Sequence, residues 1–292
     1  MDRAPPLRCR MSAGIIAPTL SGLAQKMEPD DEIALRLLGD TDPAPVEVLR
    51  PDASSPFLLT VEHAGKAFPK RLGTLGLTDR DFHRHIAWDI GIAGVTRRLS
   101  ERLDAAAVLQ SYSRLVVDCN RWPTAKDFVT AFSEDTEIPG NVDLLPEEIE
   151  ARAREIFYPY HHTIRDLLDA RIADARPTVL VAMHSCTPVY LGVSRPWHVG
   201  VLYDKDPTFA RILLGLLHGE GKLIVGDNEP YFLTSDTDYA VPVHGEQRGI
   251  PHVEIEIRQD LIESESGQGE WAERMAEVLA ESFSRLRDAG GI

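Results

Sequence analysis

Three runs of apolar and β-branched residues in this chain each stop at a polar cluster, and that repetition limits the folds open to it. Thr178-Val-Leu-Val-Ala-Met183 runs into His184-Ser185-Cys186-Thr187-Pro188, and Phe57-Leu-Leu-Thr-Val61 runs into Glu62-His63-Ala64-Gly65. Val253-Glu-Ile-Glu-Ile257 runs into Arg258-Gln259-Asp260. Such runs read as strands of a buried sheet, and helical periodicity between them is the signature of a mostly parallel sheet covered by helices. Ligands of open α/β sheets bind outside the carboxyl ends of the strands. Three of those ends offer His184, His63 and a glutamate.

Strands are expected over 57–61, 106–110, 114–118, 178–183, 198–203, 222–226 and 252–257. A helix is expected over 86–103, where Ile90, Val95 and Leu99 share a stripe. A second helix starts at Pro146-Glu-Glu, with proline and acids in its first turn, and continues past Pro159, which should kink it. The last helix runs from Trp271 to about Asp288 and stops at Gly290-Gly291. Stretches 124–145 and 229–249 lack periodicity. Long irregular connections inside a compact domain are often functional, so both are expected to wall a site.

With 292 residues and 43% hydrophobic content, the chain can bury one large α/β core. The expectation is a single mixed, mostly parallel domain over 51–292. Residues 1–50, rich in Pro, Asp and Ala, read as a partly irregular N-terminal extension with a short helix over 30–38. The apolar stretch 15–20 is too short for a signal peptide and holds a proline. No segment approaches the ~20 apolar residues of a membrane helix. A net charge of −15 argues against nucleic-acid or acidic-lipid partners, and an anionic substrate would need local arginines. Cys9, Cys119 and Cys186 are too few and scattered for a disulfide framework or a Cys-rich zinc site. A cytoplasmic location is expected.

Catalytic zinc takes three protein ligands and keeps a fourth position for water. His63 and His184 supply two imidazoles. Glu62 is one choice for the third ligand, but neighbours on a strand point to opposite faces, so it shares a metal with His63 only if the strand has ended. Asp89, in His85-Ile-Ala-Trp-Asp89-Ile-Gly91 at the expected helix start, is preferred. Hydrolysis also needs a base. Glu254 and Glu256 share one face of the last strand, and Glu256 is nearer the end where the histidines stand. Arg258 follows on that face, placed to orient Glu256 or to hold a substrate anion. Asn120-Arg121-Trp122-Pro123 presents an amide and a guanidinium, the fork suited to a carboxylate. Arg121 could equally pair with Asp118 or Asp127. Of the helical neighbours His161 and His162, only one can face a site.

Together these segments resemble the N-formylglutamate amidohydrolase family. The resemblance rests on His63 in Val-Glu-His-Ala-Gly, the stretch Ser113-Arg-Leu-Val-Val-Asp-Cys-Asn-Arg121, Tyr160-His161 and Met183-His-Ser-Cys-Thr-Pro188. It also rests on Gly226-Asp-Asn-Glu-Pro-Tyr231 and Glu254-Ile-Glu-Ile-Arg-Gln-Asp-Leu-Ile262, and it spans about residues 55–285. That family is similar in fold to the zinc carboxypeptidases, which implies a zinc-exopeptidase-like, phosphorylase/hydrolase-like architecture. His63, His184-Ser185, Asp118-Cys119-Asn120-Arg121 and Glu256-Ile257-Arg258 match the carboxypeptidase order. Lys66 departs from it, standing where that pattern has a glutamate, and this leaves the third ligand between Asp89 and Glu62.

The resemblance implies a zinc-dependent release of formate, or of another small acyl group, from an acidic amino acid such as N-formylglutamate. His63, Asp89 and His184 would hold Zn2+, and Glu256 would pass a proton from water to the amine. A strand-borne Arg114 would steady the oxyanion. Asn120 and Arg121 would hold the substrate carboxylate, His161 and Arg258 would line the site, and Tyr231 and His244 would close over it. The expected partner is that small N-acyl amino acid, with self-association left open. Two other readings compete. One is a thiol amidase with Cys186 as nucleophile and His184 as base; the other is a binder of acyl amino acids without metal or turnover.

Overall fold

The computed structural model describes residues 35–292. The stretch 15–20, Cys9 and most of the helix expected over 30–38 lie outside the described residues, and residues 35–38 are irregular. The strands are β1 (Val46–Leu49), β2 (Phe57–Val61), β3 (Ala106–Gln110), the short pair β4 (Phe132–Ser133) and β5 (Thr136–Glu137), then β6 (Val179–Cys186). A second short pair, β7 (Val189–Tyr190) and β8 (Val193–Ser194), precedes β9 (Val199–Leu202), β10 (Val225–Asp227) and β11 (His252–Arg258). The α-helices are α1 (Ile92–Leu103), α2 (Pro146–Arg152), α3 (Tyr158–Ala173), α4 (Thr208–Gly219), α5 (Ala240–His244) and α6 (Glu265–Asp288).

Seven strands form one sheet in the order β1-β3-β2-β6-β11-β9-β10. The central four run parallel, while β9 is antiparallel to β11 and β1 is antiparallel to β3. This is the expected mixed, mostly parallel α/β domain. Alternation along the strands divides the core in two. Leu59, Val61, Val181, Met183, Ile255 and Ile257 pack against Val95 and Leu99 of α1, Leu213 of α4 and Met275 and Leu279 of α6. Leu58, Val108 and Leu180 pack against Tyr160, Ile164 and Leu168 of α3.

The α3 face turns polar at the strand ends, and pairing register aligns what stands there. Glu256 lies beside His184. Thr60 lies beside Ala182, so two residues on Glu62 comes level with His184. Val46–Leu49, placed in the extension from sequence, joins the sheet as an edge strand.

Three expectations about elements are corrected. Residues 114–116 form a turn and 117–118 are irregular, so no strand stands here. Their apolar side chains are buried, and the carbonyls that a neighbouring strand would satisfy are taken by side chains: Asn141 Nδ2 donates to Leu115 O at 2.8 Å and Arg152 Nη1 to Val116 O at 2.9 Å. The first helix begins at Ile92 rather than residue 86. Long-range partners capture the intended first turn, since Ala87 O accepts from Arg114 N and Ser113 Oγ while Asp89 N donates to His63 O. Gly91 then adopts φ +83°, with the Ile262 carbonyl 2.2 Å from where a Cβ would stand, so only glycine suits this entry to α1. The kink expected at Pro159 is carried by a π-turn over Ala153–Phe157, after which the proline sits in the first turn of α3. In addition, α6 begins at Glu265 rather than Trp271, with the Ser264 hydroxyl accepting from Gly267 N.

Candidate active site

His63 lies two residues past the end of β2, Asp89 lies in the turns before α1, and His184 stands inside β6. One metal-ligating atom from each lies within 4.8 Å of the others, and all three residues are buried. His63 Nδ1 is 3.6 Å from Asp89 Oδ1, and His184 Nδ1 is 3.0 Å from Asp89 Oδ2. Ligands at 2.0–2.2 Å around a tetrahedral zinc have edges of about 3.3–3.6 Å, so this cluster needs little adjustment to fit such an ion. His63 Nδ1 is a buried nitrogen without a hydrogen-bond partner among the described residues, which suits a metal ligand. The remaining nitrogens face carboxylates: His63 Nε2 lies 2.7 Å from Asp118 Oδ1. His184 Nε2 comes within 3.0 Å of Glu62 Oε2, although both atoms lack an aligned hydrogen bond. Carboxylates behind the imidazoles are the usual support of metal-ligating histidines.

Glu62 stands behind His184 rather than beside Asp89, and its other oxygen accepts from the Tyr160 hydroxyl at 2.9 Å. Burial raises the Glu62 pKa, but the contacts with His184 and Tyr160 outweigh it and bring the carboxyl down to about 2. Asp118 is likewise buried, and the Arg114 guanidinium and His63 hold it well below the usual range. The two glutamates of β11 behave oppositely. Burial pushes Glu254 up to about 7 and raises Glu256 well above the ordinary value, and each keeps an oxygen without a partner.

His63, Asp89, His184, Asp118, Glu254 and Glu256 line a cavity of about 460 Å³, together with Arg114, Asn120, Arg121 and Tyr231. Both irregular stretches wall it, the first through Asp127 and Glu134 and the second through Phe232 and Asp238. Arg114 lies on a turn, with Nη2 2.7 Å from Asp118 Oδ2 and Nη1 3.7 Å from Asp89 Oδ1. Arg121 pairs with Asp127 at 2.8 Å and Asp238 at 3.2 Å. Asn120 Oδ1 accepts from the backbone N–H groups of Tyr239 and Ala240, which ties the two walls together.

Three residues expected at the site are placed elsewhere. Arg258 does not line the cavity, because its guanidinium is held by Asp260 and by the carbonyls of Arg195 and Pro196. His161 and His244 are buried behind the wall, 3.0 Å apart. Sequence reasoning missed the support from Asp118, Asp238 and His85, the last paired with Glu134 at 3.2 Å. Only Asp118 carried a signal, its place in the stretch with Asn120 and Arg121.

Fold and site together define an α/β amidohydrolase. The model of the N-formylglutamate amidohydrolase family matches residues 55–263. The chain belongs to that family. Among solved structures, a gene product of Agrobacterium tumefaciens aligns with a TM-score of 0.84 at 36% identity, over 86% of this chain and 100% of that one. An N-formylglutamate amidohydrolase from Ralstonia eutropha shares the fold, with a TM-score of 0.62 at 15% identity over 84% of this chain and 100% of that one. No curated protein matches the chain.

Proposed function

We propose that the chain hydrolyses the acyl amide of an N-acylated amino acid, foremost the formyl group of an acidic one such as N-formylglutamate, with Zn2+ held by His63, Asp89 and His184. The observation that carries this reading is the unpartnered His63 Nδ1, set in a buried cluster of metal-ligating atoms that shares a cavity with the unpartnered Glu256 carboxyl. A bound zinc supplies Lewis acidity to the acyl oxygen and acidity to water.

The chain's own groups do the rest. Glu256, deprived of solvent and of partners, is the proton carrier: it takes a proton from the attacking water and returns it to the leaving nitrogen. Arg114, locked against Asp118, holds positive charge where the acyl oxygen gains negative charge. Asn120 and Arg121 form the wall along which the amino-acid portion lies, and Tyr231 stands at its other side. Thiol catalysis is disfavoured. Burial and the nearby Glu256 raise the Cys186 pKa, and both His184 nitrogens already face carboxylates.

The test compares metal content and turnover on formyl- and acetyl-glutamate and -aspartate. Glu256→Gln is expected to lower turnover by about 10²–10⁴-fold while zinc content is unchanged. Chelation should abolish wild-type turnover and zinc should restore it. Full activity after chelation would overturn the metal reading, and an active Glu256→Gln would remove Glu256 as proton carrier.

A further inference from the structure

Both arginines on the cavity wall are already ion-paired with acids of the protein. Arg114 is held by Asp118 and Asp89, and Arg121 by Asp127 and Asp238. Off the wall, Arg258 pairs with Asp260 at 2.8 Å. The other charged groups on the wall are mostly acids, among them Glu134, Asp238 and Glu254. A carboxylate-bearing substrate therefore finds little uncompensated positive charge on these surfaces.

Arg195, which does not itself line the cavity, is the exception. It is 7% exposed, and among the described residues no carboxylate lies within ion-pairing distance of it. Its guanidinium carbon sits 4.7 Å from the ring centre of Tyr190 and 4.5 Å from that of Tyr231. Aromatic faces steady a cation without neutralising it. Nη1 donates to the Tyr231 hydroxyl oxygen at 2.8 Å. Since that oxygen accepts from Arg195, the phenol proton must point to another acceptor, and a neighbouring cation makes it a stronger donor.

Tyr190 and Tyr231 both line the cavity, which puts this phenol within reach of a substrate bound there. The turn that delivers Tyr231 is pressed onto the sheet. At Gly200 a Cβ would stand 2.1 Å from the Glu229 carbonyl oxygen, so a side chain there would displace the turn.

We propose that Arg195 sets the site's preference for an anionic substrate: it acts through Tyr231, whose hydroxyl donates to a carboxylate of the acyl amino acid, and its unpaired charge balances that carboxylate. The assignment rests on the reading of the cavity as an amidohydrolase substrate site. Arg195 is a positioning residue, and Tyr231 makes the contact.

The test uses the full zinc-loaded chain and two ligand pairs. The first pair is N-formylglutamate and its analogue with both carboxylates converted to amides, compared by kcat and KM. The second is glutamate and the corresponding diamide, compared by calorimetric binding, which needs no turnover. Wild type is expected to favour the acid in each pair. Tyr231→Phe and Arg195→Gln should weaken binding of the acid by about 10- to 100-fold, seen as a raised KM, and weaken the amide much less. Arg195→Lys, which keeps the charge, should recover part of the preference. Tyr231→Phe retains its ring and carries the test if Arg195→Gln does not fold. Binding preference without hydrolysis of either formyl compound would overturn the amidohydrolase reading and leave the Arg195 assignment standing. Absence of preference in wild type, an equal loss for acid and amide in the variants, or an unchanged preference in Tyr231→Phe would overturn it.

Discussion

A single carboxylate, Asp118, ties three parts of the site. One oxygen lies against His63 Nε2 and accepts from Asn120 N, while the other accepts from Nε and Nη2 of Arg114. Removing its charge should loosen the imidazole without removing a ligand. Asp118→Asn is expected to weaken zinc binding about 10- to 100-fold, measured by competition with a chelating dye, whereas Asp127→Asn, which touches Arg121 alone, should leave zinc affinity unchanged. His63, His184 and Glu256 were legible in the sequence because each ends or occupies a strand whose alternation fixes where its side chain points. Asp118 was legible as part of the stretch with Asn120 and Arg121, but not as the partner of His63. Its pairing with His63 depends on turns that join residues far apart in the chain, and no periodicity encodes those.

At the scale of elements, the link between α3 and α5 is a pair of histidines. His161 Nε2 lies 2.8 Å from the Cys119 carbonyl, so it carries the proton; His161 Nδ1 is then the acceptor, and His244 Nε2 donates to it. Both rings are thus neutral. Burial lowers His161 to about 4; burial, and then the neighbouring His161, lower His244 to about 3. In the unfolded chain both would take up protons below about pH 6.5. The unfolded state therefore binds more protons between that pH and the folded values, and stability falls as pH drops through this window. Roughly 1–3 kcal/mol per ring should be lost between pH 7 and 4. Thermal unfolding of metal-stripped protein checks this: His244→Asn should show a shallower acid slope than wild type, and equal slopes would count against the link. The same scale shows where sequence reading failed. The apolar run at 115–117 has the composition of a strand, yet its backbone is satisfied by the buried side chains of Asn141 and Arg152, which lie beyond any local window.

For the whole molecule, the sheet and its helical cover followed from alternating apolar runs, since burial on both faces leaves few other arrangements. The outer borders were less legible, because edge strands are short and half exposed. Among the described residues no helix is long and apolar enough to cross a membrane. β1 shows what such a border does. It lies upstream of the region matched by the family, which begins at residue 55, yet it covers the open side of β3 from Leu49 beside Ala107 to Val46 beside Gln110. Its Glu47 also pairs with Arg97 on α1. A fragment starting at residue 55 would bare the backbone of Ala106–Gln110, an almost wholly apolar strand, as a template for another copy. Such a fragment is expected to scatter light and elute in the void volume of a sizing column at concentrations where the full chain does not. Four residues outside the catalytic region would then act as an intramolecular chaperone, keeping the molecules from polymerising along their sheets.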